Sequence, residues 1–310
     1  MKNQYHALLK FGLILLISLT CFIQPVKATT QISANVKDSE LFDQGIEHIE
    51  NNDYEQALSD LTQVINLGSA LTPSAYSNRC LVNLQLNNNQ AAKLDCTEAI
   101  KLNPNNTEAY LNRGLAEYRL GNYEQALEQY QKVVERDADD YRSHYNQGLV
   151  NFALERYEIA LQNYEKALAS TRLISDSAKG IIYYDRALVQ LKLDNIQQAI
   201  ADFTEAINLD NLNDKAYYNR AYAYQKIKNY RAAIADFSEV IALNHDFTPS
   251  YLNRGKLYYI LGRYQTALKD FKIALNQFKQ QGKMTAYQQT LALINQFKQN
   301  FSHYHRSLYA

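Results

Sequence analysis

The chain has 310 residues, 46% of them hydrophobic, and its 32 basic and 32 acidic side chains cancel to a formal net charge of +0. Residues 29–247 carry 20 basic against 31 acidic side chains, which argues against a nucleic-acid partner, since such a partner needs a positive field. Only three cysteines are present, too few for a fold held together mainly by disulfides.

Lys2 and Lys10 are followed by an apolar run from Phe11 to Ile23 and then by Val26-Lys27-Ala28. A basic start, a short apolar run and a small residue at the cleavage point are the pattern of a signal peptide. As a helix the run would reach about 20 Å, short of the roughly 30 Å hydrocarbon core, so a permanent span is the weaker reading. A lipoprotein reading through Cys21 fits poorly with Thr20, Phe22 and Ile23 around it. Residues 1–28 are therefore expected to be a cleaved signal peptide, 29–37 a short linker, and the mature chain to be exported to the periplasm or another extracytoplasmic compartment.

From residue 38 the sequence repeats itself with a period near 34, as units 38–71, 73–106, 107–140, 141–174, 180–213, 214–247 and 248–281. Within each unit, apolar residues recur at the i, i+3, i+4 spacing of one helix and then, past a short polar turn, of a second. The turns are visible at Asn51-Asn52-Asp53, Asn87-Asn88-Asn89, Gly121-Asn122, Asp194-Asn195, Lys228-Asn229 and Gly262-Arg263. Asn and Gly there suit the left-handed conformation that ends a helix.

Counting places within a unit, the twentieth is always alanine (Ala57, Ala92, Ala126, Ala160, Ala199, Ala233, Ala267) and the eighth is Gly45, Cys80, Gly114, Gly148, Ala187, Ala221 or Gly255. Small side chains let two helices approach closely, and the eighth place is expected to face the twentieth. Aromatic rings recur at the fourth place (Tyr76, Tyr110, Tyr183, Tyr217, Tyr251) and the twenty-fourth (Tyr130, Tyr164, Phe203, Phe237, Phe271). Each buried ring contributes roughly 1.5–3 kcal/mol.

In the second unit Cys80 and Cys96 occupy places eight and twenty-four, mirror positions about the turn. Two readings stand: a disulfide clasping the two helices, or a pair of small buried hydrophobes. Arg79, Arg186, Arg220 and Arg254 at the seventh place lie level with Asp95, Asp202, Asp236 and Asp270 at the twenty-third, and Gln147 with Asn163. These are expected to pair within each hairpin, against a rival in which the arginines grip an anionic ligand. His144 takes a fourth-place aromatic position and is expected to be a core histidine.

Past the last unit, Met284, Tyr287, Leu291, Ile294, Phe297 and Phe301 form one helical stripe, expected to be a capping helix within 282–310. Residues 248–310 hold nine Lys or Arg and the single acid Asp270, a polarity that could dock this end on an anionic membrane or acidic partner, or join molecules head to tail. No phosphate-cradling glycine loop, Gly-x-Ser-x-Gly or His-Glu-x-x-His occurs. His303 and His305 alone are too few ligands for a metal, so neither cofactor, metal nor catalytic residue is expected.

The whole pattern (aromatic at four, small at eight, aromatic at seventeen, alanine at twenty, aromatic at twenty-four, small at twenty-seven, and Pro104 at thirty-two) resembles the tetratricopeptide repeat. His144, Asn89 and a first unit without the Asn-Arg pair depart from it. The resemblance implies an all-α fold: an α-α superhelix of helix-turn-helix repeats whose concave groove is lined by the first helix of each hairpin. Asn78, Asn112, Asn146, Asn219 and Asn253 at the sixth place, with Asp185 standing in once, would then form a row resembling the asparagine ladder of other tetratricopeptide superhelices. An amide matches a peptide group in offering both donor and acceptor. A solvated or locally bonded asparagine is the other reading.

Around that row, Leu115, Tyr118, Leu149 and Phe152, with Leu111, Tyr145, Tyr184, Leu188, Leu191, Tyr218 and Tyr222, make the lining apolar. This argues against the carboxylate-clamp type of repeat; Lys256 alone comes near it, at the wrong place. The expected function is a non-enzymatic scaffold or adaptor that binds a protein or extended apolar peptide in the groove. A membrane-peripheral assembly factor acting through the basic C-terminal end is the alternative.

Overall fold

The computed structural model describes residues 36–172 and 174–308, without the side chains of residue 36 and of 297–308. The expected signal peptide at 1–28 and nearly all of the linker at 29–37 lie outside the described residues. What is described is all-α, and it divides into two compact units, one ending at Ala178 and the other beginning at Lys179.

In the first unit α1 (Val36–Glu50) pairs with α2 (Tyr54–Leu67), α3 (Thr72–Gln85) with α4 (Asn89–Leu102), α5 (Thr107–Arg119) with α6 (Tyr123–Arg136), and α7 (Tyr141–Ala153) with α8 (Tyr157–Leu168). Each hairpin also packs on the next through its second helix. Helix α9 (Asp176–Lys192) opens the second unit, followed by α10 (Ile196–Leu209), the hairpins α11 (Asp214–Lys226) with α12 (Tyr230–Leu243) and α13 (Thr248–Ile260) with α14 (Tyr264–Gln280), and finally α15 (Met284–Leu308).

Local chemistry places the helix ends. Asn106, Asn213 and Asn229 accept a hydrogen bond from the backbone N–H three residues on, and Asp140 from that of Arg142, satisfying donors that a helix start leaves open. The fifteenth place of every unit has positive φ: Asn52, Asn87, Gly121, Glu155, Asp194, Lys228 and Gly262. Glu155 and Lys228 show that this left-handed turn is imposed by the hairpin and not only by permissive residues.

Alanines at the twentieth place are buried, six of them with no exposure at all. The eighth place, however, faces the twenty-fourth and not the twentieth. A β-carbon on Gly114 or Gly148 would lie 2.5 Å from Cε1 of Tyr130 or Tyr164, and one on Gly255 would lie 2.8 Å from Cε1 of Phe271. Helix crossing angle, not size alone, decides which small residue meets which ring. Tyr130, Tyr164, Phe203, Phe237 and Phe271 are among the most deeply buried large side chains.

The arginine–aspartate pairs form as expected. Arg79, Arg186, Arg220 and Arg254 each donate from Nε and Nη2 to both oxygens of Asp95, Asp202, Asp236 and Asp270, at 2.6–2.9 Å. Three of them also reach across a repeat boundary: Nη1 donates to Thr62 Oγ1, Thr204 Oγ1 or Ser238 Oγ of the preceding hairpin at 2.9–3.0 Å. Those hydroxyls in turn donate to the carbonyl one turn back in their own helices. With their donors so engaged, the arginines do not form an anion-gripping row. Gln147 departs from expectation, because its amide donates to Gln131 of the preceding hairpin, not to Asn163.

His144 is a core histidine, 6% exposed. Its Nε2 donates to Ala138 O at 2.9 Å. Helix α15 packs on the last hairpin through Ala286, Tyr287 and Ile294. Met284 and Leu291 do not join that seam and are 52% and 37% exposed, while the side chains of Phe297 and Phe301 lie outside the described ones. Among the described residues no helix is long and apolar enough to cross a membrane, and no cluster of three metal-ligating side chains occurs. The side chains of His303 and His305 are not among those described.

Candidate functional site

On the first helix of each hairpin, the sixth and ninth places are one turn apart and share a face. The two units fill that face differently. In the first, Asn78 and Asn112 are each 1% exposed, so these two amides are enclosed by the chain itself. Leu149 and Phe152 are each 8% exposed, and Leu111 and Tyr145 are 4% and 3% exposed; they are buried by the chain itself and offer little to a ligand. Asn146, Leu115 and Tyr118 keep partial exposure.

In the second unit Asn219 and Asn253 are half-buried. Their Nδ2 groups donate to the hydroxyls of Tyr184 at 2.9 Å and Tyr218 at 3.0 Å, each on the preceding hairpin. Burial pushes both phenols above their ordinary pKa, and the asparagine donors draw them back. Each asparagine therefore ties two repeats together, leaving its carbonyl oxygen and its second N–H for a partner. The first unit lacks this bond for a simple reason: Ser77 and Leu111 stand where Tyr184 and Tyr218 do. Asn112 Oδ1 and Ser77 Oγ are buried there without a hydrogen-bond partner. The signal was present in the sequence as a tyrosine at the fifth place followed, 35 residues on, by an asparagine at the sixth.

Several charges are already paired in the first unit. Arg142 meets Glu108 at 2.8 Å and Asp140 at 2.7 Å, and Lys93 meets the buried Glu117 at 2.9 Å. Burial raises the Glu108 carboxyl above its usual range while Arg142 opposes the shift. Lys256, in the second unit, is different. It lies one turn beyond Asn253 on α13, is half-buried, and has a pKa lowered by burial alone. It forms no ion pair with another described residue. Sequence reading set Lys256 aside because it is not at the clamp position; what it missed was a cation without a counter-charge beside Asn253 and in the same row as Tyr222.

Cys80 and Cys96 are joined in a disulfide between α3 and α4, with Cα atoms 5.3 Å apart and both residues fully buried. The bond occupies the place where the third and later hairpins set a small residue against a ring, so it belongs to the core and carries no chemistry toward a ligand.

Three family models described as tetratricopeptide repeat match residues 78–141 and 111–178, 214–247, and 181–211 and 248–277. No curated protein gives a significant sequence match. Among solved structures, the chain is similar to Pseudomonas aeruginosa PilF (TM-score 0.61, 21% identity, over 71% of this chain and 96% of that one). It is also similar to a tetratricopeptide repeat protein of Parabacteroides merdae (0.58, 19%, 83% and 100%) and to YrrB, a tetratricopeptide protein with an unusual peptide-binding site (0.52, 22%, 59% and 91%). At these identities the likeness is one of fold. Repeat models thus cover more than half of a chain whose turns, packing pairs and interlocking arginines recur with the same period, and the chain belongs to the tetratricopeptide repeat family.

Proposed function

We propose that this protein is an exported, non-enzymatic scaffold that binds an extended segment of a partner protein along the first-helix face of its hairpins. The family supports the coarser part, a protein-interaction scaffold. The finer part rests on one observation: on α11 and α13 the half-buried Asn219, Tyr222, Asn253 and Lys256 sit side by side, and Lys256 has no counter-charge. A half-buried ammonium is disfavoured until an acid reaches it, and the remaining amide oxygens accept from backbone N–H groups. The preferred ligand is an extended peptide with apolar side chains and one carboxylate, from a side chain or the chain end, opposite Lys256.

Selection of linear peptides from a displayed library on the purified chain tests this. Enriched peptides should carry an acid, and should lose at least tenfold in affinity against Lys256→Met and against Tyr222→Ala with Asn253→Ala. Failure of any linear peptide to enrich, or equal affinity for the variants, would overturn it. Export is tested separately by fusing residues 1–40 to alkaline phosphatase, which is active only outside the cytoplasm; an inactive fusion counts against the exported part alone.

A further inference from the structure

The two ends of the repeat array carry opposite charge in the same spatial pattern. Residues 38–71 contain Asp38, Glu40, Asp43, Glu47, Glu50, Asp53, Glu55 and Asp60 and no Lys or Arg. On α1, Glu40, Asp43, Glu47 and Glu50 are all exposed and follow one another at intervals of three, four and three, which keeps them on a single stripe. On α14, Lys269, Lys272, Asn276 and Lys279 are exposed at the same intervals, and Lys283 follows four residues later. Ten residues of helix rise about 15 Å, so the stripes match in length as well as in spacing.

Neither stripe is neutralised within the chain. The only acid on α14, Asp270, is 3% exposed and taken by Arg254. None of the four acids or four lysines forms an ion pair with another described residue. Helix α15 packs on the last hairpin and still leaves the lysines exposed. Ile273, 39% exposed, lies among the lysines, giving that stripe an apolar element that a purely solvated charge row does not need.

We propose that a second copy of this chain is the partner of these surfaces, with the α1 acidic stripe of one molecule docking on the α14 lysine stripe of the next. A contact between two different patches is heterologous, so it propagates head to tail and gives open chains or, where the rotation closes, a ring. Complementary charge sets the register and speeds encounter. The α14 stripe is on a second helix and takes no part in the first-helix face; the α1 stripe meets that face at Asp43, the sixth place of its unit, and the variants at Tyr222, Asn253 and Lys256, all in the second unit, keep the two readings distinguishable.

Sedimentation velocity of the purified full chain provides the test. At about 0.01 M salt, where the Debye length is about 30 Å, the weight-average mass should climb with protein concentration; at about 1 M, where it is about 3 Å, the chain should be monomeric. A variant with Glu40→Lys, Asp43→Lys and Glu47→Lys, and another with Lys269→Glu, Lys272→Glu and Lys279→Glu, should each associate at least tenfold more weakly. Mixed in equal amounts they should recover association in strict alternation, because the reversed α1 of one meets the reversed α14 of the other while the unaltered α14 of the first meets the unaltered α1 of the second; that rescue also shows both variants folded. Gln at the three lysines should weaken association at least threefold.

A chain that stays monomeric at every concentration and salt overturns the proposal. So does a mixture that stays monomeric, or unchanged association in the Gln variant. If the lysine variants instead lose binding to phosphatidylserine vesicles while the unaltered chain never self-associates, the stripe belongs to a membrane and the proposal is wrong.

Discussion

Gly114 lies against the ring of Tyr130 so closely that a β-carbon would come 2.5 Å from Cε1 and 2.7 Å from Cζ. Gly114→Ala adds helix propensity of up to about 1 kcal/mol but overpacks a fully enclosed site, at about 1–3 kcal/mol. The urea midpoint is expected to fall. The hairpins that carry Ala187 and Ala221 oppose them to Phe203 and Phe237, so Gly114→Ala combined with Tyr130→Phe should recover part of the loss. A double variant no more stable than the single one would show that the ring's position, not its hydroxyl, sets the limit.

Reducing the Cys80–Cys96 bond should lower stability by about 3 kcal/mol, the loop-closure value for a loop near this length. Equilibrium urea unfolding with and without reductant measures it. Cys80→Ala with Cys96→Ala should be insensitive to reductant. Because both sulfurs are buried, reduction in the folded state should be slow and limited by opening of the hairpin.

Asn219→Ala and Tyr184→Phe should each lose about 1 kcal/mol, the net worth of one hydrogen bond. Made together they should lose less than the sum, with a coupling near 0.5–1 kcal/mol. Strict additivity in thermal or urea unfolding would mean that the 2.9 Å contact contributes nothing to holding the repeats together.

Burial lowers the Lys256 pKa from the ordinary 10.5, so between the lowered value and 10.5 the unfolded chain binds the proton better than the folded chain. Below the lowered value the penalty of the enclosed charge is present in full; as pH rises towards 10.5 it is relieved, and stability increases. Lys256→Met should therefore be more stable than the unaltered chain at neutral pH, with the gap closing as pH approaches 10.5. A gap that stays constant over that range would assign the difference to packing.

Period, hairpins, turns and the arginine–aspartate pairs could all be read from residue types, because each depends on contacts within about 34 residues or on the fixed geometry of a helix. The facing of Gly114 could not, since small residues at places eight and twenty are alike in sequence and only the crossing of the helices separates them. The asparagines of the sixth place could be assigned to first helices from the sequence, but how far each is buried could not. Asn78 and Asn112 fitted both a ladder and a locally bonded asparagine, since burial is a property of neighbours, and the same Asn at 219 and 253 is fixed by a tyrosine one repeat away. Leu149 and Phe152 show the same limit, because apolar residues on this face serve packing and a groove equally well in a pattern. Lys256 was discounted by comparison with a known arrangement when its missing counter-charge was the informative property.

The arginines that reach a hydroxyl of the preceding hairpin recur in some repeats and not in others. Arg79, Arg220 and Arg254 fasten their hairpins backwards, whereas α5 carries Arg113, whose Nε is buried without a partner and whose opposite number is Gln129 instead of an aspartate, and α7 carries Gln147. The stretch from α5 to α8 lacks that clasp and is joined to its neighbours by other means: Lys93 meets Glu117, Arg119 Nη1 donates to Leu84 O, and Arg142 meets Glu108. A protein built from near-identical parts thus changes its fastening in the latter half of its first unit, where ion pairs particular to those hairpins stand in for the repeated arginine clasp.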